Sequence, residues 1–226
     1  MEIIGKGIYS VSSAAKLLGM PYSKVYRWIK GYKYSKNNTC QTANSIIETD
    51  YNDSSIIAIS FLDLIELLFI NNFIQHGVSL RTIRKATLIA SDLLNTSHPF
   101  AKKQFFTDGR TILAKIIEKE NDPVLIDLVK TQYKFDKIIT PYLHSRIDFN
   151  KFDKAERWWP QGKETGIVVD PTRSLGQPII NKYNIRTELI YDLHDTNHSN
   201  NDIAYWYGID LSSIEAAILF ENGLRN

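Results

Sequence analysis

The sequence predicts a mainly α-helical protein with small β elements: an N-terminal winged helix-turn-helix, a central β-hairpin and a small C-terminal helical unit of helix-turn-helix outline. Three observations predict it. Apolar residues recur at three- and four-residue spacing through most of the patterned segments. Gly19 with Pro21, Gly77 and Gly208 each close one such segment and admit the next. Strand signals are confined to short β-branched stretches and one Asp-Gly dipeptide.

Taken in order, Ser12 or Ser13 is placed to cap a first helix whose Ala14, Ala15, Leu17 and Leu18 share a side, with Gly19 ending it through a left-handed backbone. Pro21 suits the start of a second helix over about residues 22–30. Val25, Trp28 and Ile29 fall on its inner face, and Tyr22, Ser23, Tyr26, Arg27 and Lys30 on its outer face. Residues 46–49 and 56–59 predict two strands around the turn-prone Asp50-Tyr51-Asn52-Asp53-Ser54-Ser55, which makes a wing. Ser60 caps an apolar helix over 61–75, stopped near Gly77. Ser79 caps another over 80–94, with Ile83, Ala86, Ala90 and Leu94 along one face. Asp108-Gly109 predicts a hairpin within 103–117. Residues 121–157 hold one or two helices, or a helix and a strand. Residues 162–166 read as a linker, 167–170 and 179–180 as short extended pieces, and 187–194, 201–207 and 212–222 as three helices. The organisation expected is a DNA-binding unit over 1–97, a hairpin with connecting helices over 98–162, and a protein-interaction or dimerisation unit over 163–226.

The 226 residues are 43% hydrophobic, 23% charged and 12% aromatic, which excludes disorder because enough surface can be buried to offset the ordering entropy. A single cysteine, Cys40, excludes an internal disulfide framework and leaves too few thiolates for a structural zinc site. With no basic leader and no apolar run long enough for a membrane span, the expectation is a cytoplasmic protein with no membrane partner.

Charge is the more informative signal. Residues 1–36 hold seven Lys/Arg against Glu2 alone, a net +6, whereas 167–226 hold four bases and eight acids, a net −4. A cationic segment suits a polyanion and an acidic one does not, so any nucleic-acid contact is assigned to the N-terminus. Arg27 is the candidate for a guanine edge, because a guanidinium pairs both acceptors there. Tyr22, Ser23 and Tyr26 are candidates for base or sugar contacts and Lys24, Lys30 and Lys33 for phosphates, with Ser12 and Ser13 also counted among the DNA contacts. In the tail no Lys or Arg stands between Arg186 and Arg225, while Glu188, Asp192, Asp195, Asp202, Asp210, Glu215 and Glu221 accumulate. Those acids repel phosphates, so Tyr205, Trp206, Tyr207 and Glu215 are read as contacts to a protein partner.

Enzyme and metal constellations are weak, and neither a cofactor nor a metal is expected. His194 and His198 have the spacing of two helical ligands, yet Asp195-Thr196-Asn197 between them reads as helix-ending loop. His98 and His144 stand beside no obvious nucleophile, Asp148 and Asp153 read as solvated acids, and Trp158-Trp159-Pro160 as a seal between the two halves. A regulator sensing a small molecule in region 100–160 is the alternative.

The segment from Tyr9 to Gly19 and Val25-Tyr26-Arg27-Trp28-Ile29-Lys30-Gly31 resemble MerR- and excisionase-type winged helices. MerR-like regulators extend into a long dimerisation helix after the wing, whereas residues 95–99 interrupt this chain. More specific are Phe61-Leu62-Asp63-Leu64-Ile65-Glu66-Leu67, Gly77-Val78-Ser79-Leu80-Arg81-Thr82-Ile83-Arg84, His98-Pro99-Phe100, Thr107-Asp108-Gly109-Arg110, Trp158-Trp159-Pro160-Gln161-Gly162, Val169-Asp170-Pro171 and Gly176-Gln177-Pro178-Ile179-Ile180. Together they resemble the VapB-type antitoxins that carry a C-terminal domain of unknown function, and the resemblance covers nearly the whole chain. It implies a bacterial toxin-antitoxin component, a homodimer that binds its operator DNA and silences a PIN-like ribonuclease toxin. The DNA-facing residues it implies are Tyr22, Ser23, Tyr26, Arg27 and Lys30. Where that family has a Gly-Thr-Arg-Ile-like segment, this chain has Lys182-Tyr183-Asn184-Ile185-Arg186.

Overall fold

A computed structural model describes residues 5–36, 38–51, 57–105, 107 and 146–225. The first helix, α1 (Val11–Leu17), starts earlier than expected: Ser10, not Ser12 or Ser13, is the extended cap, and its hydroxyl accepts the Ser13 N–H. The cause lies one residue upstream, where Tyr9 is held extended by mutual backbone bonds with Ile59. Gly19 turns the chain at φ +60, and α2 (Tyr22–Lys30) follows with Val25, Trp28 and Ile29 buried, as its periodicity predicts.

The wing is built from different residues than expected. It is an antiparallel hairpin of β1 (Tyr32–Lys36) and β2 (Thr39–Ala43), with Asn38 left-handed at its turn. Among the described residues, the apolar stretches at 46–49 and 57–59 do not pair with each other. Ile46 donates its N–H to the Trp28 carbonyl, Ile46 and Ile47 are buried, and Ile59 bridges Tyr9, so each stretch is drawn to the core by its own partner. Residues 52–55 of the expected turn and residue 56 of the second expected strand lie outside the described residues.

Ser60 and Asp63 form the reciprocal capping box of α3 (Phe61–Gln75), which is buried on nearly every side, and Ser79 caps α4 (Leu80–Leu94). Asn95 ends α4 in a left-handed conformation, and a 3-10 turn (Pro99–Ala101) folds back onto both helices. Residues 103–105 are helical rather than extended; the Asp108-Gly109 turn of the expected hairpin lies outside the described residues, as does most of 121–157.

A five-stranded antiparallel sheet then runs in chain order: β3 (Ile147–Phe149), β4 (Ala155–Trp158), β5 (Ile167–Val169), β6 (Pro178–Ile180) and β7 (Ile185–Arg186). The stretch from Gly162 to Gly166, read above as a linker, is instead the tight connection from β4 to β5, containing the 3-10 turn Lys163–Thr165. Trp158 enters the main core while Trp159 packs with Val168 and Ile179, so the two tryptophans serve separate clusters. Three helices complete the chain, α5 (Thr187–Asp195), α6 (Asn200–Tyr207) and α7 (Leu211–Arg225), close to the expected ranges.

One apolar core runs from Tyr9 through α3 and the sheet to Phe220. Its two halves meet where the Ile8 N–H donates to the Leu175 carbonyl at 3.0 Å and the buried Tyr9 hydroxyl donates to the Gly176 carbonyl at 2.8 Å. Gly176 has φ +85, and a Cβ there would run into the Tyr9 hydroxyl. Only glycine satisfies both demands.

Candidate nucleic-acid interface

The outward face of α2 carries Tyr22, Ser23, Tyr26, Arg27 and Lys30, all exposed. The rings of Tyr22 and Tyr26, one helical turn apart, stack at 6.1 Å with 19° between planes. After α2, Gly31 at φ +71 turns the chain so tightly that a side chain would meet the Ala43 carbonyl, and β1 is laid beside the end of the helix. This brings Tyr32 under the Arg27 guanidinium, 5.4 Å from ring centroid to Cζ, with Tyr34 at 5.8 Å from Tyr32. The exposed Lys33 lies between them in sequence, on the opposite face of the strand. No acidic residue occurs between Glu2 and Glu48, so this surface has no local anion in its own sequence.

Three expected contacts are placed differently from the rest. Lys24 turns inward: its Nζ donates to Asn71 Oδ1 on α3 at 2.8 Å and lies 4.9 Å from the Trp28 ring centre. Burial pushes its ammonium below the usual value. Ser13 shares its hydroxyl with Ser10 and lines a cleft with Gln177, Glu221 and Arg225 between α1 and the C-terminal helices. Ser12 is exposed on α1. Tyr32 and Tyr34 are not among the sequence-derived contacts, because the β-branched stretches place the expected wing at 46–59. The alternation Tyr32-Lys33-Tyr34 was the available signal.

At the other end, Tyr205 is 86% and Trp206 54% exposed, with Tyr207 beside them and the His198 ring edge-on to Trp206 at 5.0 Å. On α7 the exposed Leu211, Glu215 and Leu219 follow at four-residue intervals. Glu188, Asp192, Asp195, Asp202 and Glu215 are exposed. Glu221 is not: it is buried against the Thr187 hydroxyl, and burial raises its pKa. Asp210 serves the head of α7, where bonds from Tyr183, Ser212 and Ser213 hold it well below the usual carboxylate range.

The remaining titratable groups sort by contact. His194 bonds Asn200 and His198 packs on Trp206, so the two do not converge on one ligand position. Asp148 is held by Lys163 at 2.6 Å and Trp159 at 2.9 Å, and Cys40 is exposed on β2. His98, read above as solitary, is buried with Nε2 at 2.9 Å from Asp63 Oδ1. Burial opposes its protonation, but the Asp63 bond and the nearby charges of Glu66 and Asp50 outweigh burial and raise its pKa. Glu66 is fully buried; its Oε1 accepts the Phe100 and Ala101 N–H groups at 2.6 and 3.0 Å, and burial pushes its pKa up to about 8. No described helix is long and apolar enough to cross a membrane.

Two family descriptions match the two ends of the chain, and single relatives span most of it. Residues 7–87 match a family described as "Putative DNA-binding HTH domain", and residues 167–220 one described as "Protein of unknown function (DUF433)". Over 193 residues, 79% of each chain, the protein is 26% identical to "Putative antitoxin VapB45" of Mycobacterium tuberculosis. The crystal structure of Rv2018 from the same organism aligns with a TM-score of 0.70 over 93% of this chain and 96% of that one, at 20% identity, which shows a shared fold. The protein is similar to an antitoxin and carries a segment similar to a DNA-binding helix-turn-helix.

Proposed function

We propose that this protein is the antitoxin of a type II toxin-antitoxin pair, a cytoplasmic homodimer without catalytic activity of its own. Its N-terminal unit binds operator DNA and represses its own transcription, and its C-terminal unit binds and neutralises a PIN-like ribonuclease toxin. The observation that carries the reading is the acid-free face of α2 and the wing, where Arg27, Lys30 and Lys33 are exposed among four tyrosines.

In the major groove, Arg27 would pair a guanine edge while Tyr22, Ser23 and Tyr26 contact neighbouring bases or sugars. Lys30 and Lys33 would lie against phosphates, with Ser12 contributing from α1, and Lys24 would brace α2 against α3 rather than contact DNA. At the tail, Tyr205, Trp206 and Tyr207 would anchor the toxin while Glu215 and its exposed acidic neighbours compete with RNA for a cationic groove. The test is co-expression with the neighbouring ribonuclease and pull-down by the full chain and by Trp206→Ala, alongside mobility shifts with the upstream DNA. Retained DNA binding with loss of the toxin in the variant supports the division of labour. Undiminished toxin capture by the variant removes the aromatic tail from the mechanism.

A further inference from the structure

We infer that Asp50, Asp63 and His98 form a binding site for one divalent transition-metal ion of the zinc class, opening into the cavity between the helix-turn-helix half and the sheet. The three side chains come from separate segments: the loop after the wing, the first turn of α3 and the turn after α4. One oxygen from each carboxylate and one imidazole nitrogen lie within 4.8 Å of one another. His98 Nε2 stands 2.9 Å from Asp63 Oδ1 and 3.8 Å from Asp50 Oδ1. Donors around a tetrahedral ion with bonds of about 2.0–2.1 Å stand roughly 3.3 Å apart, between those two separations.

The donors are also oriented. Asp63 Oδ2 accepts the N–H groups of Ser60 at 2.8 Å and Asp50 at 3.2 Å, which leaves Oδ1 facing the imidazole. His98 Nδ1 is fixed by Ser97 Oγ at 3.0 Å, so Nε2 is the nitrogen presented. Such outer bonds are how metal-ligating histidines and carboxylates are held in place.

An ion pair between His98 and Asp63 accounts for only part of this. Asp50 also converges on Nε2, and Glu66, three residues beyond Asp63 on α3 and within charge reach of His98, is wholly buried with Oε2 unpartnered. Protonating Glu66 only exchanges a buried acceptor without a donor for a buried hydroxyl without an acceptor. Two carboxylates, Asp50 and Asp63, thus face one imidazole, so a His98 ion pair balances one of them at most, and a divalent cation matches both. Lys6 and Lys154 line the adjoining cavity, but neither is ion-paired to these carboxylates within the described residues. The cavity, about 320 Å³, has Asp50 and His98 in its wall and gives room for a water in the fourth position. Metal binding here would tie the post-wing loop and the turn after α4 to the head of α3.

The site is tested on the full chain, stripped with chelator and titrated with Zn²⁺ by calorimetry and with Co²⁺ by visible absorption. One equivalent should bind, with the intense visible bands of four-coordinate Co²⁺ and a rise in Tm on adding Zn²⁺. Asp50→Asn, an exposed change that leaves the backbone bond to Asp63 intact, should keep the metal-free Tm and weaken binding at least tenfold. His98→Gln should abolish binding, and His198→Gln should leave it unchanged. The absence of saturable binding, or binding equal in Asp50→Asn and the parent chain, overturns the assignment.

Discussion

The first and last helix pairs share an outline and differ in what they present. In both, a serine caps the first helix and a left-handed glycine opens the corner, Ser10 and Gly19 for α1–α2, Ser199 and Gly208 for α6–α7. Both second helices bury one apolar stripe, Val25, Trp28 and Ile29 in α2, Ile214, Ala217 and Ile218 in α7. Outward, α2 shows Tyr22, Arg27 and Lys30, whereas α7 shows Leu211, Glu215 and Leu219. The corner is a packing solution; under the proposed division of labour, the side chains left outside decide which polymer each would meet.

The largest effect expected is on the joint that holds the two pairs in one body. Gly176→Ala forces a side chain into the Tyr9 hydroxyl at a positive φ and should cost roughly 2–4 kcal/mol. Urea unfolding reads this directly, and a loss under 0.5 kcal/mol would mean the joint gives way easily. Next, Arg27→Ala should lose about 1–3 kcal/mol of affinity for the preferred duplex and flatten the preference among sequences. Equal loss on every probe would reduce Arg27 to a phosphate contact. Lys24→Ala sharpens the comparison within α2 itself. It should cost about 1 kcal/mol of folding stability through the lost Asn71 bond and leave the salt slope of DNA binding unchanged. A slope lowered by nearly one unit would restore Lys24 to the interface.

The smallest effects concern pH. The Asp170 carboxylate is hydrogen-bonded by Thr172 and paired with Arg173; burial opposes its ionisation, but these bonds outweigh it and hold its pKa below the ordinary value. Its contribution is therefore complete above the unfolded pKa of about 3.9 and is lost as pH falls through the lower folded value. Glu221 has the opposite sign: raised by burial, it contributes at low pH and loses that contribution as pH rises through its folded value. Glu221→Gln should remove this loss on the alkaline side, and Asp170→Asn should lessen the acid-side fall; unfolding curves across pH 2–8 distinguish them.

What could be read from sequence was local. The faces of α2, the caps at Ser60 and Ser79 and the three tail helices follow from spacing within one or two turns. What could not be read depends on distant partners. Ile46 and Ile59 are good strand formers, but Trp28 and Tyr9 claim them, and the hairpin falls to the polar stretch before Ile46, from Tyr32 to Ala43. Lys24 looks like any helix-surface lysine until Asn71, 47 residues on, accepts its hydrogen bond. His98 looks solitary because Asp63 lies 35 residues away. The core likewise crosses the boundary drawn near residue 162, since β4 and β5 pair over it.

The measurement that bears most directly on the polarity of this molecule is lysine acetylation of the full chain, followed residue by residue with and without operator duplex. Lys30 and Lys33 should lose reactivity when DNA is added, while Lys182, exposed beside Asp210 in the acidic half, should keep it. Protection of Lys182 with the head lysines unchanged would contradict the account.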